Sequence, residues 1–517
     1  MTSALNRKIA VALSTMWISR AATLALNLVL VPILFRRLPA SELGTWLLLS
    51  QLGTIVVFFD FGMTSVLARQ IAIVSARDAS DPARGRELHE LAGAARLLYR
   101  CVAILSLAMA LAGGWLLLGR LGLASDAVRV ARTAWVILCL GYAVNLNGGL
   151  WWALLWGFGR IALGTAILTA SAVVTTLALI AAAALGGGME ALACTLLVSA
   201  VAQQVAMKWA AKRSDPILLQ RPPRARRAVL KSIAEPSLRY WLTQVGAIML
   251  LRTDQFFIAG FQEPARIPAY YACYTLIYNL ALVAMNIGDA SFVFVSKLWR
   301  EEDPSAVHGL VLRSARIGMA LMLSGVAVML SLGDAVLTLW LGPGRFVGWP
   351  VLVTFCATLT LFVQQSLLLE YSRATENEAY APCYLVAGVL NLLLTWALIR
   401  PLGLLGCALG TLLAQVLTTN WFIPRSALRR LRIPVRRYAE QVLLPGGAVF
   451  GTVYLAVWSV THAIPAERAP ERVAVGAVAG GVALALCFWT VILEPGVRVH
   501  VRREARLLAQ RLRAFAR

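Results

Sequence analysis

The sequence predicts an all-α polytopic membrane protein with about 14 transmembrane helices. Of its 517 residues, 59% are hydrophobic and only 14% are charged, whereas a soluble domain carries roughly a quarter charged residues. Apolar runs of roughly 18 or more residues recur along the whole chain, and each can cross the ~30 Å hydrocarbon core of a bilayer. Basic residues collect in alternate loops between these runs, a distribution typical of a multi-pass protein.

The apolar runs give the predicted spans directly. In chain order they are Ile9–Phe35, Gly44–Gln70, Leu97–Leu118, Val130–Gly157, Ile161–Leu185, Glu190–Trp209, Leu238–Phe261, Ala269–Val295, Ile317–Trp340, Val347–Tyr371, Tyr380–Ile399, Leu404–Phe422, Val442–Thr461 and Val473–Leu493. The first run is too long for the core of a signal peptide, so we expect it to be a retained helix. An even number of spans with alternating basic loops places both termini in the cytoplasm.

The formal net charge of +23 has two explanations, nucleic-acid binding and the enrichment of basic residues in cytoplasmic loops. The positions of the charges decide between them, because the loop Gly186–Glu190 contains no basic residue. Basic residues crowd five segments instead: Arg69–Arg100, Lys208–Lys231, Lys297–Arg316, Arg425–Arg437 and Arg498–Arg517. Membrane topology therefore accounts for the charge, and we expect no nucleic-acid partner.

The longest polar segment lies near the middle of the chain and suggests a division into two halves. It contains Arg221-Pro222-Pro223-Arg224 and predicts a stiff, basic cytoplasmic linker at residues 210–235. Because polytopic membrane proteins are often built from two structural repeats, we predict an N-terminal helical lobe over residues 1–235. The C-terminal lobe then covers residues 236–497, with pseudo-symmetry between the two.

The tail, residues 498–517, predicts a basic amphipathic helix on the cytoplasmic face. Val501, Leu508 and Phe515 fall on one helical stripe, and arginines surround it. Such a helix rests in the membrane interface on anionic lipid. Binding to a partner protein is the alternative interpretation.

Metal and cofactor chemistry has little support in the sequence. The 8 cysteines occur singly without a C-x-x-C pair, and the 4 histidines show no ligand spacing. Walker A, G-x-G-x-x-G, HExxH and nucleophile-elbow sequences are also missing from the chain. We therefore predict no metal site, no cofactor and no enzymatic activity.

Arg20 is the most informative single residue, because it lies in the middle of the first apolar span. A charged side chain at that depth costs at least ~2.5–3.5 kcal/mol and marks a functional site by default. Trp17 and Asn27 share its helical face, which favours a water-filled cavity. A structural ion pair with a carboxylate of a neighbouring helix is the alternative.

The seventh span carries a second intramembrane arginine, Arg252. Helical spacing places Gln244, Arg252 and Gln255 on one polar face of a continuous helix. Asp254 is two residues from Arg252 and points elsewhere. Its carboxylate is a candidate for ion coupling.

The two other candidates for ion coupling are Asp60 in the second span and Asp289 in the eighth. The eighth span also carries Tyr274 and Tyr278 near one stripe. Aromatic rings with a polar edge suit the faces of sugars, so this stripe is a candidate sugar-binding surface. The alternative is the ordinary enrichment of tyrosine at membrane interfaces.

Pairs of glycines four residues apart recur in the later spans and predict close helix packing. They are Gly406-x-x-x-Gly410, Gly447-x-x-x-Gly451 and Gly476-x-x-x-Gly480. We interpret these pairs as structural.

Short segments around the early spans carry a family resemblance. Leu38-Pro39-Ala40-Ser41-Glu42-Leu43-Gly44-Thr45-Trp46, then Phe59-Asp60-Phe61-Gly62-Met63 and Leu67-Ala68-Arg69, resemble the opening of Wzx-type polysaccharide flippases. Arg252-Thr253-Asp254-Gln255-Phe256-Phe257-Ile258-Ala259-Gly260, followed by Ala269-Tyr270-Tyr271, is similar to the seventh span of the same family. The family belongs to the multidrug/oligosaccharidyl-lipid/polysaccharide exporter superfamily, abbreviated MOP.

The resemblance implies two helical lobes around a central cationic cavity that opens alternately to each side of the bacterial inner membrane. The implied cargo is an undecaprenyl-pyrophosphate-linked oligosaccharide for cell-surface polysaccharide, such as lipopolysaccharide or exopolysaccharide. Arg20 and Arg252 are then the candidates for binding the pyrophosphate, and Trp17, Asn27, Gln255, Tyr274 and Tyr278 complete the candidate substrate site. The implied partners are the lipid-linked sugar, membrane lipids and other polysaccharide-assembly proteins.

Three alternatives remain open at the level of sequence. A multidrug or cation antiporter and a lipid II flippase belong to the same superfamily. An antiporter is expected to have a less cationic cavity with carboxylates facing it. A polytopic polysaccharide polymerase is the third alternative, and the short outer loops disfavour it.

We predict that Arg20→Ala abolishes export while the protein inserts at normal abundance. The reason is that the variant no longer offers the substrate a cationic side chain in the middle of the membrane. Export of lipid-linked sugar and immunoblotting of membranes measure the two quantities. Full export would remove Arg20 from the site. A loss of abundance would favour the structural ion pair instead.

Overall fold

The computed structural model shows a multi-pass helical membrane protein. It describes residues 25–26, 28–75, 82–120, 125–214, 226–300, 302–375, 380–465 and 467–492. No β-strand occurs in these ranges, so the predicted all-α fold is confirmed.

Residues 28–37 are helical, and sixteen helices follow within the described ranges, named here in chain order. The first eight are α1 (Ala40–Val57), α2 (Met63–Ser75), α3 (Pro82–Leu118), α4 (Ser125–Gly157), α5 (Ile161–Ala184), α6 (Met189–Ser214), α7 (Arg227–Leu251) and α8 (Asp254–Phe261). The others are α9 (Ile267–Arg300), α10 (Pro304–Leu341), α11 (Trp349–Arg373), α12 (Ala381–Leu402), α13 (Leu404–Leu417), α14 (Thr419–Arg430), α15 (Val435–Thr461) and α16 (Ala469–Ile492).

Within the described ranges, 11 helices are long and apolar enough to cross a membrane. They correspond one to one to the third to sixth and the eighth to fourteenth predicted spans, with α13 and α14 together forming the twelfth. Most of the first predicted span lies outside the described residues. The second and seventh predicted spans are interrupted, so the prediction of one continuous helix was wrong for both.

The second span breaks at residues 58–62. A short 3-10 turn, Phe58–Asp60, follows α1, and the backbone then takes positive φ values at Phe61 (52°) and Gly62 (70°). A positive φ is unfavourable for a bulky side chain such as that of Phe61. Hydropathy does not reveal this break, because Phe58, Phe59 and Phe61 are as apolar as the residues of an uninterrupted span.

Contacts divide the described chain into two compact units. Unit 1 extends to Tyr271 and includes Tyr384–Gly410, and unit 2 comprises Ala272–Cys383 and the chain from Thr411 onwards. In unit 1, α4 packs against α2, α3 and α6, and in unit 2, α10 packs against α11, α15 and α16. The division into lobes at residue 235 stays a prediction.

Each unit has its own apolar core. The core of unit 1 joins α2, α3, α4 and α6, and its fully buried members include Leu67, Ile71, Leu88 and Leu154. The core of unit 2 joins α10, α15 and α16 through Ala327, Val453 and other small or β-branched residues. Small side chains allow these helices to approach closely.

Two of the three predicted glycine pairs pack against neighbouring helices. A Cβ atom built on Gly406 would lie 2.1 Å from the carbonyl oxygen of Leu398 on α12, and one on Gly476 would lie 2.3 Å from the Leu332 side chain. Gly447 and Gly451 have no other atom within 4 Å of a built Cβ among the described residues. The Gly447/Gly451 pair therefore makes no close contact with another helix in this part of the chain.

This difference predicts opposite effects of two alanine substitutions on stability. Gly406→Ala introduces a methyl group against backbone that cannot move independently, and we expect a loss of about 1–3 kcal/mol in the free energy of unfolding. Gly447→Ala meets no neighbour and removes a flexible residue from a helix, so we expect a gain of up to ~1 kcal/mol. Thermal unfolding of both variants in the same detergent measures the contrast. Equal stability would show that α12 and α13 have room to separate.

Candidate functional site

The candidate site lies in unit 1, at the interruption of the seventh span. α7 ends at Leu251, and Arg252 leaves the helical backbone with φ −129° and ψ 9° before α8 begins at Asp254. The Thr253 hydroxyl donates back to the Met249 carbonyl at 3.0 Å, a local bond that competes with regular helix structure. Interrupted helices of this kind form substrate and ion sites in many transporters.

Two amide side chains from other helices bind the carbonyl groups at this break. Asn391 of α12 donates from Nδ2 to the carbonyls of Met249 at 3.0 Å and Leu250 at 3.2 Å. Gln51 of α1 donates from Nε2 to the Arg252 carbonyl at 3.1 Å. Non-helical backbone at membrane depth is tolerated where such partners or water satisfy it.

Asn391 is itself held in place by a further hydrogen bond. The Thr395 hydroxyl, one turn along α12, donates to the Asn391 Oδ1 atom at 3.2 Å. Asn391 and Thr395 are both completely buried. Their mutual bond fixes the amide so that its NH₂ group faces the break.

Arg252 and Gln255 are both placed at this break, but on different segments. The interruption separates them, so the predicted continuous polar face with Gln244 does not form. Arg252 is half-buried, and Gln255 at the start of α8 is 8% exposed. The Gln255 Oε1 atom accepts no hydrogen bond within the described residues.

Asp254 begins α8, where a negative charge is favoured by the helix dipole. The Tyr270 hydroxyl of α9 donates a short hydrogen bond to the Asp254 Oδ2 atom. Asp254 therefore points to α9 within unit 1. Its predicted role in ion coupling stays a prediction.

Asp60 binds the first turn of α2, just after the other interruption. Its carboxylate accepts from the Thr64 backbone N–H at 3.3 Å and from the Thr64 hydroxyl at 3.1 Å. The Thr64 hydroxyl also lies 2.8 Å from the hydroxyl of Tyr99 on α3. These bonds give Asp60 a structural role at the start of α2, and ion coupling by Asp60 stays a prediction.

Tyr274 and Tyr278 belong to unit 2 and contact each other. Their rings stack with centroids 5.4 Å apart and an interplanar angle of 14°, and Phe355 of α11 packs edge-on against Tyr274 at 5.5 Å. The three rings form an aromatic cluster. Sugar binding by these residues stays a prediction.

Four predicted site residues have no described side chain. Trp17, Arg20 and Asn27 lie outside the described residues, and the Asp289 side chain does too. Conversely, sequence reasoning missed Gln51 and Asn391. The signal was present, because Gln51 is the single amide of α1 and Asn391 the single amide of α12, and a buried amide needs a hydrogen-bond partner.

No protein-family model and no curated protein matches the chain. Solved structures nevertheless share its fold. The lipid II flippase MurJ, in an inward-closed conformation, is similar with a TM-score of 0.70 at 10% identity, over 93% of this chain and 99% of that chain.

Two further structures show the same fold over less of the chain. An inward-facing multidrug resistance MATE transporter has a TM-score of 0.57 at 16% identity, over 80% of this chain and 95% of that chain. A MOP superfamily transporter from Pyrococcus furiosus has a TM-score of 0.56 at 15% identity, over 82% and 96%. At these identities the similarity shows the fold, and function is a separate argument.

The hydrogen bonds at the break predict the effect of Asn391→Leu. Leucine has the same branched shape but no donor, so the Leu250 carbonyl loses the Asn391 donor and the Met249 carbonyl keeps only the Thr253 hydroxyl. We expect a loss of about 1–3 kcal/mol in the free energy of unfolding. Gln365→Leu on α11 is the matched control. Gln365 is 0% exposed, and neither of its amide atoms has a hydrogen-bond partner among the described residues.

We expect Gln365→Leu to leave the stability unchanged or to raise it, because it removes a buried polar group and no bond. Thermal unfolding of both purified variants measures the contrast. A stable Asn391→Leu variant would show that water binds the two carbonyls instead.

Proposed function

We propose that the protein is a flippase that translocates a lipid-linked oligosaccharide across the bacterial inner membrane by alternating access. The observation that carries this proposal is the match to MurJ over 93% of this chain and 99% of that chain. MurJ is a flippase for lipid II, a lipid-linked cargo. A fold shared from end to end supports a cargo of the same chemical class.

The extent of the match favours a flippase over a drug antiporter. The MATE transporters with a similar fold cover 80–83% of this chain, so about a fifth of it has no counterpart in them. The match to MurJ leaves only a small part of this chain without a counterpart. The complete helical arrangement is therefore more like that of the flippase.

Arg252 supplies the chemistry that a pyrophosphate-linked cargo needs. Its guanidinium group is always charged and presents a planar fork of donors that matches phosphate oxygens. It follows the end of α7 at the break, where Gln51 and Asn391 fix the backbone. We propose that Arg252, together with Arg20 of the first span, binds the pyrophosphate, and that Tyr274 and Tyr278 contact the sugars.

An oligosaccharide of a surface polysaccharide is proposed over lipid II itself on the resemblance of the sequence segments to Wzx-type flippases. Both termini are proposed to lie in the cytoplasm, because the basic loops alternate. Asp254, held by Tyr270, is proposed as the carboxylate that couples transport to an ion.

We predict that Arg252→Ala reduces flipping of lipid-linked oligosaccharide at least ~10-fold, since it removes a charge-assisted contact worth about 1.5–3 kcal/mol. Proteoliposomes containing a labelled lipid-linked oligosaccharide report flipping through the accessibility of the sugar to an external lectin. Arg252→Lys is expected to retain part of the activity, because the charge remains without the bidentate fork.

Arg266→Ala is the matched control for this experiment. Arg266 is an exposed arginine that donates to Gln262 at 3.0 Å, outside the interrupted segment. Its variant is expected to flip normally. Normal flipping by Arg252→Ala would remove Arg252 from the site, and wild-type exchange of a cationic drug without any flipping would favour the antiporter.

A further inference from the structure

A cavity of about 420 Å³ lies within unit 1, between α3, α4 and α6. It is separate from the interrupted segment at Arg252, and none of the predicted site residues that the structure describes lines it. Its most informative lining residues are Arg96, Arg100, Trp151, Gln204, Lys208 and Lys212.

The helices present these residues at intervals of one turn. Arg96 and Arg100 are four residues apart on α3, and Gln204, Lys208 and Lys212 follow the same interval on α6. Residues at i and i+4 lie on the same helical face. Two facing helices therefore direct four cationic side chains into one cavity.

The positive charge of the cavity is not balanced by the protein in the described part of the chain. Among the described residues, no carboxylate lines the cavity and no ion pair involves these four residues. Glu90, which precedes Arg96 on α3, forms an ion pair with Arg226 at 3.3 Å and not with the cavity cations. Like charges held together repel, and the cavity is therefore suited to an anion that carries more than one negative charge.

Several polar side chains of the cavity are held by contacts within the protein, and one of their donor groups remains without a hydrogen-bond partner among the described residues. The Trp151 ring lies 5.4 Å from the Arg96 guanidinium carbon and 6.0 Å from the Lys208 ammonium, so cation–π contacts hold both cations. Gln204 donates to Asn145 at 3.1 Å. Within the described residues, the buried Arg96 Nε has no hydrogen-bond partner.

One wall of the cavity continues into an exposed apolar surface. Val201 and Val205 line the cavity and are 44% and 61% exposed, and Val198, one turn before Val201 on α6, is 67% exposed. On α3, Leu97 beside Arg96 is 45% exposed. In a membrane-spanning helix such surface faces lipid chains.

We propose that this cavity binds the phosphate headgroup of a membrane lipid, whose hydrocarbon chains lie along Val198, Val201 and Val205. Cations and an aromatic ring at the phosphate, together with apolar side chains beyond it, match the two ends of such a lipid. Basic pockets between transmembrane helices bind anionic headgroups in this manner. The inference does not depend on the proposed transport function.

The test is the affinity of the purified full-length protein for its first bound lipid, measured by native mass spectrometry during titration with phosphatidylglycerol. We expect the dissociation constant of Arg96→Gln/Lys208→Gln to rise about tenfold or more, because two charge-assisted contacts are lost. Arg100→Gln/Lys212→Gln, at the same cavity, is a second variant in case the first fails to fold.

Arg227→Gln/Lys231→Gln is the matched control. It removes two exposed cations that are also four residues apart, on α7 of the same unit. We expect its dissociation constant to stay close to that of the wild type. Equal weakening in the control, or no weakening in either cavity variant, would overturn the proposal.

Two further ligands distinguish the source of the phosphate. Tight binding of undecaprenyl pyrophosphate, sensitive to the cavity variants, would support a docking site for the lipid carrier. Binding of phosphatidylglycerol alone would support a site for bulk anionic lipid. Inorganic pyrophosphate that binds as tightly as either lipid would overturn the lipid proposal. Flipping is measured separately, so its absence in the wild type would not affect these outcomes.

Discussion

The interrupted seventh span depends on one constraint, which is that backbone polar groups inside a membrane need partners. The break at Arg252 removes regular helical bonds, and the replacement donors come from Gln51 and Asn391, which are 201 and 142 residues distant in sequence from the carbonyls they bind. The break is therefore stable only when α1, α7 and α12 are packed together. Local sequence at residues 252–253 does not determine it alone.

The charged side chains of the two units differ in whether they have a partner within the protein. In unit 2, Arg472 of α16 pairs with Asp334 of α10 at 3.3 Å, and both side chains are mostly buried. In unit 1, four cations share a cavity without such a partner among the described residues. A charge that is paired within the protein serves the fold, whereas a cluster of unpaired cations suits an anionic ligand, as proposed above.

The sequence predicted the helical class and most of the spans, because hydropathy over a window of about 19 residues reports membrane crossing well. It missed both interruptions, since Phe61 and Thr253 do not change the hydropathy and since the break of the seventh span is held by donors from distant helices. It identified Arg252 from its charge and missed Gln51 and Asn391, whose importance depends on distant carbonyls. The cationic cavity was not predicted from the sequence for a similar reason, because its residues belong to separate helices.

Two glycines explain how Asn391 reaches the break. A Cβ atom built on Gly246 of α7 would lie 2.5 Å from the Tyr384 carbonyl carbon of α12, and one on Gly388 would lie 2.9 Å from the Gly246 carbonyl oxygen. The two backbones are thus nearly in contact one turn before Met249 and Asn391. A larger side chain at either glycine would separate the helices, and the short Asn391 amide would then no longer reach the carbonyls at Met249 and Leu250. Close packing of small residues is therefore the condition for the polar break.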